Sequence, residues 1–175
     1  MSPRRQAVTN AGPLMVLAKL QVPFLLARLY TTVHIPLSVY EEVVVQGLRH
    51  GYEDARVIRT FLEEMGWTPE PVSLEEMPPA LRTAPLDRGE RDTLALALNL
   101  GECVVLMDEH RGRLVARQLG LPVRGSLGIL VQAYRKGLLE EEQLRWYLIE
   151  LEQRPDIWIS PRLIRRVREE IFGER

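Results

Sequence analysis

Cys103-Val104-Val105-Leu106-Met107-Asp108 is the stretch from which the rest of the chain can be read. A short continuous apolar run that stops at an acid reads as a buried strand. Immediately before it, Asp87 to Leu100 is strongly periodic and predicts a helix, and after it a second helix is expected from Arg111 to Leu119, ended by Gly120. A brief strand over Leu121 to Arg124 follows, and Gly125 with Ser126 opens another helix to about Lys136. Strand, helix, strand, helix in this order is the pattern of an α/β protein built around a parallel sheet.

The same alternation extends to both ends. Gln6 to Asn10 is the expected first strand, and Gly12 and Pro13 open a helix whose apolar face is Leu14, Leu17, Ala18 and Leu20, since proline fits a first helical turn. Thr32 to Ile35 is a second strand stopped at Pro36. Ser38 is placed to cap a helix through about Gln46, and Ala55 to Met65 forms the next. Residues 66–87 hold five prolines and are expected to connect elements within the domain, with one short strand around Trp67 to Val72. Helices over Glu140 to Leu151 and Pro161 to Phe172, flanking an extended Ile157 to Ile159, close a single domain covering residues 1–175.

Composition narrows the function classes. The chain has 175 residues, 46% hydrophobic and 27% charged, the balance of a chain that buries one sizeable core. A formal net charge of -1 argues against coating nucleic acid by bulk charge, although a local basic face stays open. The one cysteine, Cys103, excludes an internal disulfide and a cysteine-rich zinc site and fits a core thiol in a reducing compartment. Lys19, Gln21, Pro23 and Arg28 interrupt the apolar Pro13 to Tyr30 stretch, so no membrane span or signal peptide is expected and a cytoplasmic location is. His34, His50 and His110 show no paired zinc spacing, and no Walker-type loop or GxGxxG is present. Trp67, Trp146 and Trp158 are expected to anchor the core or its edge.

Two constellations carry chemistry. In an open parallel sheet the ligand crevice lies beyond the carboxyl ends of the strands, and Asn10 and Asp108 both fall there. Glu41 and Glu42 lie in the helix after the second strand, and Glu90 and Asp92 in the first turn of the helix leading to Asp108. Such oxygen ligands suit Mg²⁺ or Mn²⁺, although acids in first helical turns also offset the macrodipole. The second constellation is electrostatic: from His110 to Gly137 there is no Asp or Glu, while Arg111, Arg113, Arg117, Arg124, Arg135 and Lys136 are cationic. With the helix start at Gly125 and Ser126, this island could hold phosphate, or be a solvated helix face.

The residues also resemble a known family. Val8-Thr9-Asn10-Ala11-Gly12-Pro13-Leu14, Ile35-Pro36 with Val39-Tyr40-Glu41-Glu42-Val43, Gly89-Glu90, Val104-Val105-Leu106-Met107-Asp108-Glu109, Arg113 with Ala116, Gly120-Leu121-Pro122-Val123 and Gly125-Ser126-Leu127-Gly128 are similar, in order and spacing, to PIN-domain proteins of the DUF3368 branch, predicted nucleases related to toxins of toxin–antitoxin pairs. The resemblance implies a PIN-like three-layer α/β fold, a central parallel sheet between helices, with acids holding Mg²⁺ or Mn²⁺ for phosphodiester hydrolysis, usually of RNA. By position it implies Asn10, Glu42, Glu90 and Asp108 as catalytic residues, the last three as metal ligands, with Glu109 a competing match for Asp108. Arg111, Arg113, Arg117 and Ser126 would hold the nucleic acid. The relatives further imply a homodimer and a small antitoxin partner. Asn10 departs from the usual aspartate, a change this branch also admits; an amide oxygen can ligate Mg²⁺ but brings no charge. Two readings follow: a metal-dependent ribonuclease, or a weak or noncatalytic module that binds RNA or a protein partner.

Overall fold

The computed structural model of the chain describes residues 5–174. β1 (Gln6–Thr9) is buried over its last three residues. Asn10 turns the chain into α1 (Ala11–Lys19), which carries Pro13 in its first turn and buries Leu14, Val16, Leu17 and Ala18. A short α2 (Phe24–Leu29), which has no side-chain cap, precedes β2 (Val33–Pro36). The helix expected from Ser38 is composite: α3 (Leu37–Tyr40), a π-helical turn at Glu41–Gln46, then α4 (Gly47–Arg49). Pro36 takes the N-cap position, and Ser38 lies inside the first turn, where its hydroxyl donates to Asp92 Oδ2 at 2.5 Å. α5 (Glu53–Met65) buries Ala55, Ile58, Phe61 and Leu62 and ends on Gly66 with φ 65°, the left-handed conformation that glycine adopts most readily.

The proline-rich connection contains the expected short strand, β3 (Pro69–Glu70), and a helical turn that was not expected, α6 (Pro79–Arg82), with Pro79 at its first position. α7 (Arg88–Leu100) leads into β4 (Cys103–Leu106), all four of whose residues are buried. α8 (His110–Gln118), β5 (Val123–Arg124) and α9 (Ser126–Arg135) follow as the sequence suggests, then α10 (Glu141–Gln153) and α11 (Pro161–Phe172). Ile157 to Ile159 is not a strand of the sheet.

The five strands pair in the order β3-β2-β1-β4-β5, every pair parallel, with helices flanking the sheet. Val8 of β1 is in register with His34 on one side and Val105 on the other. Strand order reverses between β1 and β4, so the carboxyl ends of these two strands open the crevice where ligands of such sheets bind. Asn10 enters it directly, its N–H donating to Leu106 O at 2.9 Å. On one face, Val8, Leu94, Ala95, Val105, Met107, Ala116 and Leu121 form a buried apolar cluster that includes Cys103, whose thiol is raised in pKa by burial. The β3 edge is tied in by a polar bridge, His34 lying 2.5 Å from Glu70 and 2.7 Å from Gln6.

The described residues fall into two compact units, one through Ser126 and one from Leu127. The sheet and its acids belong to the first. The second contains α10, which buries Leu144, Leu148 and Leu151, and α11, which buries Ile164. Trp67 packs edge-on against Phe61, as an anchoring tryptophan should, but Trp146 and Trp158 are exposed and bury no core. No helix among the described residues is long and apolar enough to cross a membrane.

One close approach makes the fold testable away from its acids. A methyl group built at Gly47 would meet the Ala55 Cβ at 2.6 Å, so α4 and α5 touch through the missing side chain. Alanine ordinarily stabilises a helix interior by up to about 1 kcal/mol over glycine. Here Gly47→Ala should instead lower stability by about 1–3 kcal/mol through overpacking, read as a lower urea midpoint; a raised midpoint would contradict the contact.

Candidate active site

The acids are set by local structure before they can act. Asp87 caps α7, accepting the Glu90 N–H at 2.7 Å, while Glu90 Oε2 accepts the Asp87 N–H at 2.9 Å. This reciprocal capping box holds one Glu90 oxygen and leaves the other committed to nothing. Glu90 is 4% exposed, and its Oε1 is a buried side-chain atom without a hydrogen-bond partner. Buried carboxylate oxygens are nearly always paired, so an orphan of this kind needs an explanation.

Charge surrounds it. The Glu90 pKa is raised, first by burial and then by the negative charges of Asp87 and Glu109, while Arg111 and the Asp87 backbone bond act in the opposite direction. Glu42, carried by the π-helical turn, is also raised, by desolvation first and then by Asp87 and Glu90, although the residue reaches the surface. Asp87 and Glu109 thus act on Glu90, and Asp87 and Glu90 on Glu42, with Arg111 the cation beside Glu90. Asn10, 8% exposed, sits at the N-cap of α1 without using its side chain as a cap, and a Cβ at Gly89 would lie 3.3 Å from its Oδ1.

Asp108 belongs to a different set of contacts. Its Oδ1 accepts the Ser126 N–H at 2.7 Å and its Oδ2 accepts the Ser126 hydroxyl at 2.5 Å. Burial raises its pKa, and the two Ser126 bonds and the Arg113 charge oppose the rise. Arg113 donates to Met107 O at 2.9 Å and is half-buried; burial and the nearby Arg117 lower its pKa, and Asp108 works against them. Ser126, expected to offer groups to a phosphate, is fully buried, and its N–H and hydroxyl both donate to Asp108. Of the basic island, Arg111 and Arg117 are exposed, Arg111 also donating to Pro85 O at 3.3 Å. Glu109 is exposed and occupies the N-cap of α8 without a side-chain cap bond. Asp92 is 7% exposed and accepts the Ser38 hydroxyl, tying α3 to α7, with Arg88 3.8 Å away.

Four glycines make room for these oxygens, and sequence reasoning did not single them out for it. A Cβ at Gly12 would stand 3.1 Å from Asp108 Oδ2, at Gly125 2.8 Å from Asp108 Oδ1, and at Gly112 3.0 Å from Glu90 Oε1, beside Gly89 against Asn10. Their signal was position: Gly12 lies two residues after Asn10, Gly89 precedes Glu90 and Gly125 precedes Ser126. Among the described residues, no three His, Cys, Asp or Glu side chains converge closely enough to enclose a metal as they stand. The chemistry of the donors nonetheless fits a hard divalent cation, being all oxygen and including the unpartnered Glu90 Oε1.

A family model described as DUF3368: PIN domain matches residues 6–172. The chain belongs to this family of PIN domains. No curated protein matches it. PIN domains are nuclease-type modules that generally use divalent metal ions, and the acids of this PIN domain stand where its parallel sheet opens its crevice.

The raised carboxyls have a pH consequence. A group whose folded pKa lies above its unfolded value binds more protons when folded, so stability falls as pH rises through the interval between the two. For Glu42, Glu90 and Asp108 all three shifts have this sign. In chelator, the unfolding midpoint should therefore fall as pH rises above the ordinary carboxyl range, about pH 4. The drop should shrink in Glu90→Gln, which retains a side chain able to complete the capping box; an equal drop in both proteins would remove Glu90 from the effect.

Proposed function

We propose that this PIN domain is a ribonuclease dependent on Mg²⁺ or Mn²⁺. The observation that carries the reading is Glu90 Oε1, a buried carboxylate oxygen with no partner, on a group whose pKa is raised by burial and by the nearby acids Asp87 and Glu109. Glu42, Glu90 and Asn10 are the residues that would hold the ion, with Glu109 or Asp108 as the strand-end acid. Glu109 is favoured for that part, because its carboxylate makes no cap bond and its charge is felt at Glu90, whereas both Asp108 oxygens are bonded to Ser126. Bound there, the ion would offset charge on the phosphodiester and acidify water. Glu42, whose proton affinity is raised and which reaches the surface, is suited to take a proton at its carboxylate. Arg111 and Arg117 would hold phosphates, and Arg113 would steady Asp108.

A second reading has its own support. Asn10 brings no charge to the crevice, and Asp108 is engaged as the cap of α9, which together suit a module that binds RNA or a protein without cutting. A toxin role, with a homodimer and a small antitoxin partner, belongs to the proposal by family likeness; a monomer in light scattering would remove the dimer.

Cleavage of a mixed single-stranded RNA pool separates the readings. Native protein should cut in Mn²⁺ or Mg²⁺ and stop in chelator, Glu90→Gln should lose about 100-fold or more, and Asn10→Asp should gain activity by adding the missing charge. Glu109→Gln should lose activity with little change in stability, while Asp108→Asn should mainly lower stability. Silence in the native chain with cutting in Asn10→Asp would mean a scaffold turned down at one residue, and silence in all would favour the binding module.

A further inference from the structure

The unit from Leu127 onward is held by pairs. Arg135 pairs with Glu170, Arg145 with Glu141 and Glu174, Arg154 with Asp156, and Arg168 with Glu152. Its rings are paired too: Tyr134 with Phe172, Trp146 with Tyr147, and the Arg145 guanidinium lies 3.8 Å over Phe172. Against this background two features stand out.

Arg162, Arg165 and Arg166 have no ion-pair or hydrogen-bond partner among the described residues. All three are exposed. Positions i, i+3 and i+4 lie on one side of a helix, so the three cations share one face of α11. Ile164 is buried and Val167 and Ile171 half-buried, which fixes the rotation of the helix and keeps that face outward. Glu169 continues the row at its far end, leaving three positive charges to one negative.

Four residues before Arg162, Trp158 is 92% exposed and has no ring or cation neighbour among the described residues. Ile157 is buried and Ile159 half-buried, and the residue between them is turned out. A large aromatic ring left in water beside a net positive row is the composition of single-strand nucleic-acid surfaces, where bases stack on rings and guanidiniums meet phosphates.

We propose that Trp158 with Arg162, Arg165 and Arg166 forms a single-stranded RNA-binding face. It rests on the reading of the chain as an RNA-acting PIN domain and adds a surface on which the strand is held. Charge complementarity favours this occupant: three unpaired arginines on one face ask for a polyanion, and every nucleotide of a single strand offers both a phosphate and a flat base. An acidic peptide would meet the arginines but offer the indole no stacking partner of that size.

The test uses the full chain in chelator, so that binding is read without cleavage, with a fluorescent single-stranded RNA of about 20 nucleotides and anisotropy measured across salt. Trp158→Ala should weaken binding about 10-fold while Trp158→Phe keeps most of it. The triple variant Arg162→Gln, Arg165→Gln, Arg166→Gln should flatten the plot of log affinity against log salt by about 2, since each single-strand phosphate contact contributes about 0.7. Unchanged unfolding midpoints confirm that the exposed substitutions leave the fold intact. Native affinity and slope in both variants would overturn the proposal, as would RNA binding absent from the native chain. A response of Trp158 to anionic phosphatidylglycerol vesicles, with RNA affinity unaffected by the variants, would overturn it in favour of a lipid surface. A chain that cuts no RNA yet binds it with these dependences would sink the nuclease reading and leave this one standing; cutting with variant-independent binding would do the reverse.

Discussion

Carboxyl groups held out of water, two of them beside other acids, are the constraint on which this architecture turns. Glu42 and Glu90 are both raised in pKa by lost solvent and by neighbouring acids, and Asp108 by burial. A fold can maintain such a group only if each member is fixed by something other than attraction to the rest. Here Glu90 is fixed by a capping box, Asp108 by two bonds to Ser126, and Glu42 by a helix whose first turn is clamped to α7 through Ser38 and Asp92. The parallel sheet supplies the common platform, because its switch point brings the ends of β1 and β4 side by side.

Space is as much a part of the site as charge. Gly12, Gly89, Gly112 and Gly125 each stand where a side chain would press on an oxygen of Asp108, Asn10 or Glu90. The absence of side chains at these points lets α1, α7, α8 and the loop before α9 approach the strand ends closely. Membership of the PIN family gives this arrangement its chemical sense, since an oxygen-lined crevice with an unpartnered buried carboxylate oxygen suits a hard cation.

Much of this was legible in the sequence because it is local. The run at Cys103 declared β4, and the periodicity after Asp87 declared α7. What escaped was decided by tertiary partners. Ser38 has the residue type of a helix cap, but Asp92, far along the chain, claims its hydroxyl. Ser126 looked like an open helix start, yet Asp108 already occupies both its donors. Trp158 would be expected inside by size alone, yet it is turned out between the buried Ile157 and the half-buried Ile159. Asn10 and Glu90 were found by position at strand and helix ends, but the orphan oxygen of Glu90 is visible only in three dimensions.

The π-helical turn at Glu41–Gln46 makes chain length, more than side-chain identity, the quantity under control in that segment. An ordinary α-helix advances about 100° per residue, so residues four apart creep around the axis and a buried stripe of Val39, Val43 and Gly47 would drift off the core. The wider turn cancels that creep and keeps Gly47 against Ala55 while Glu42 reaches toward α7. Removing the extra residue there would restore a regular spiral, so the wider turn is a local accommodation of chain length.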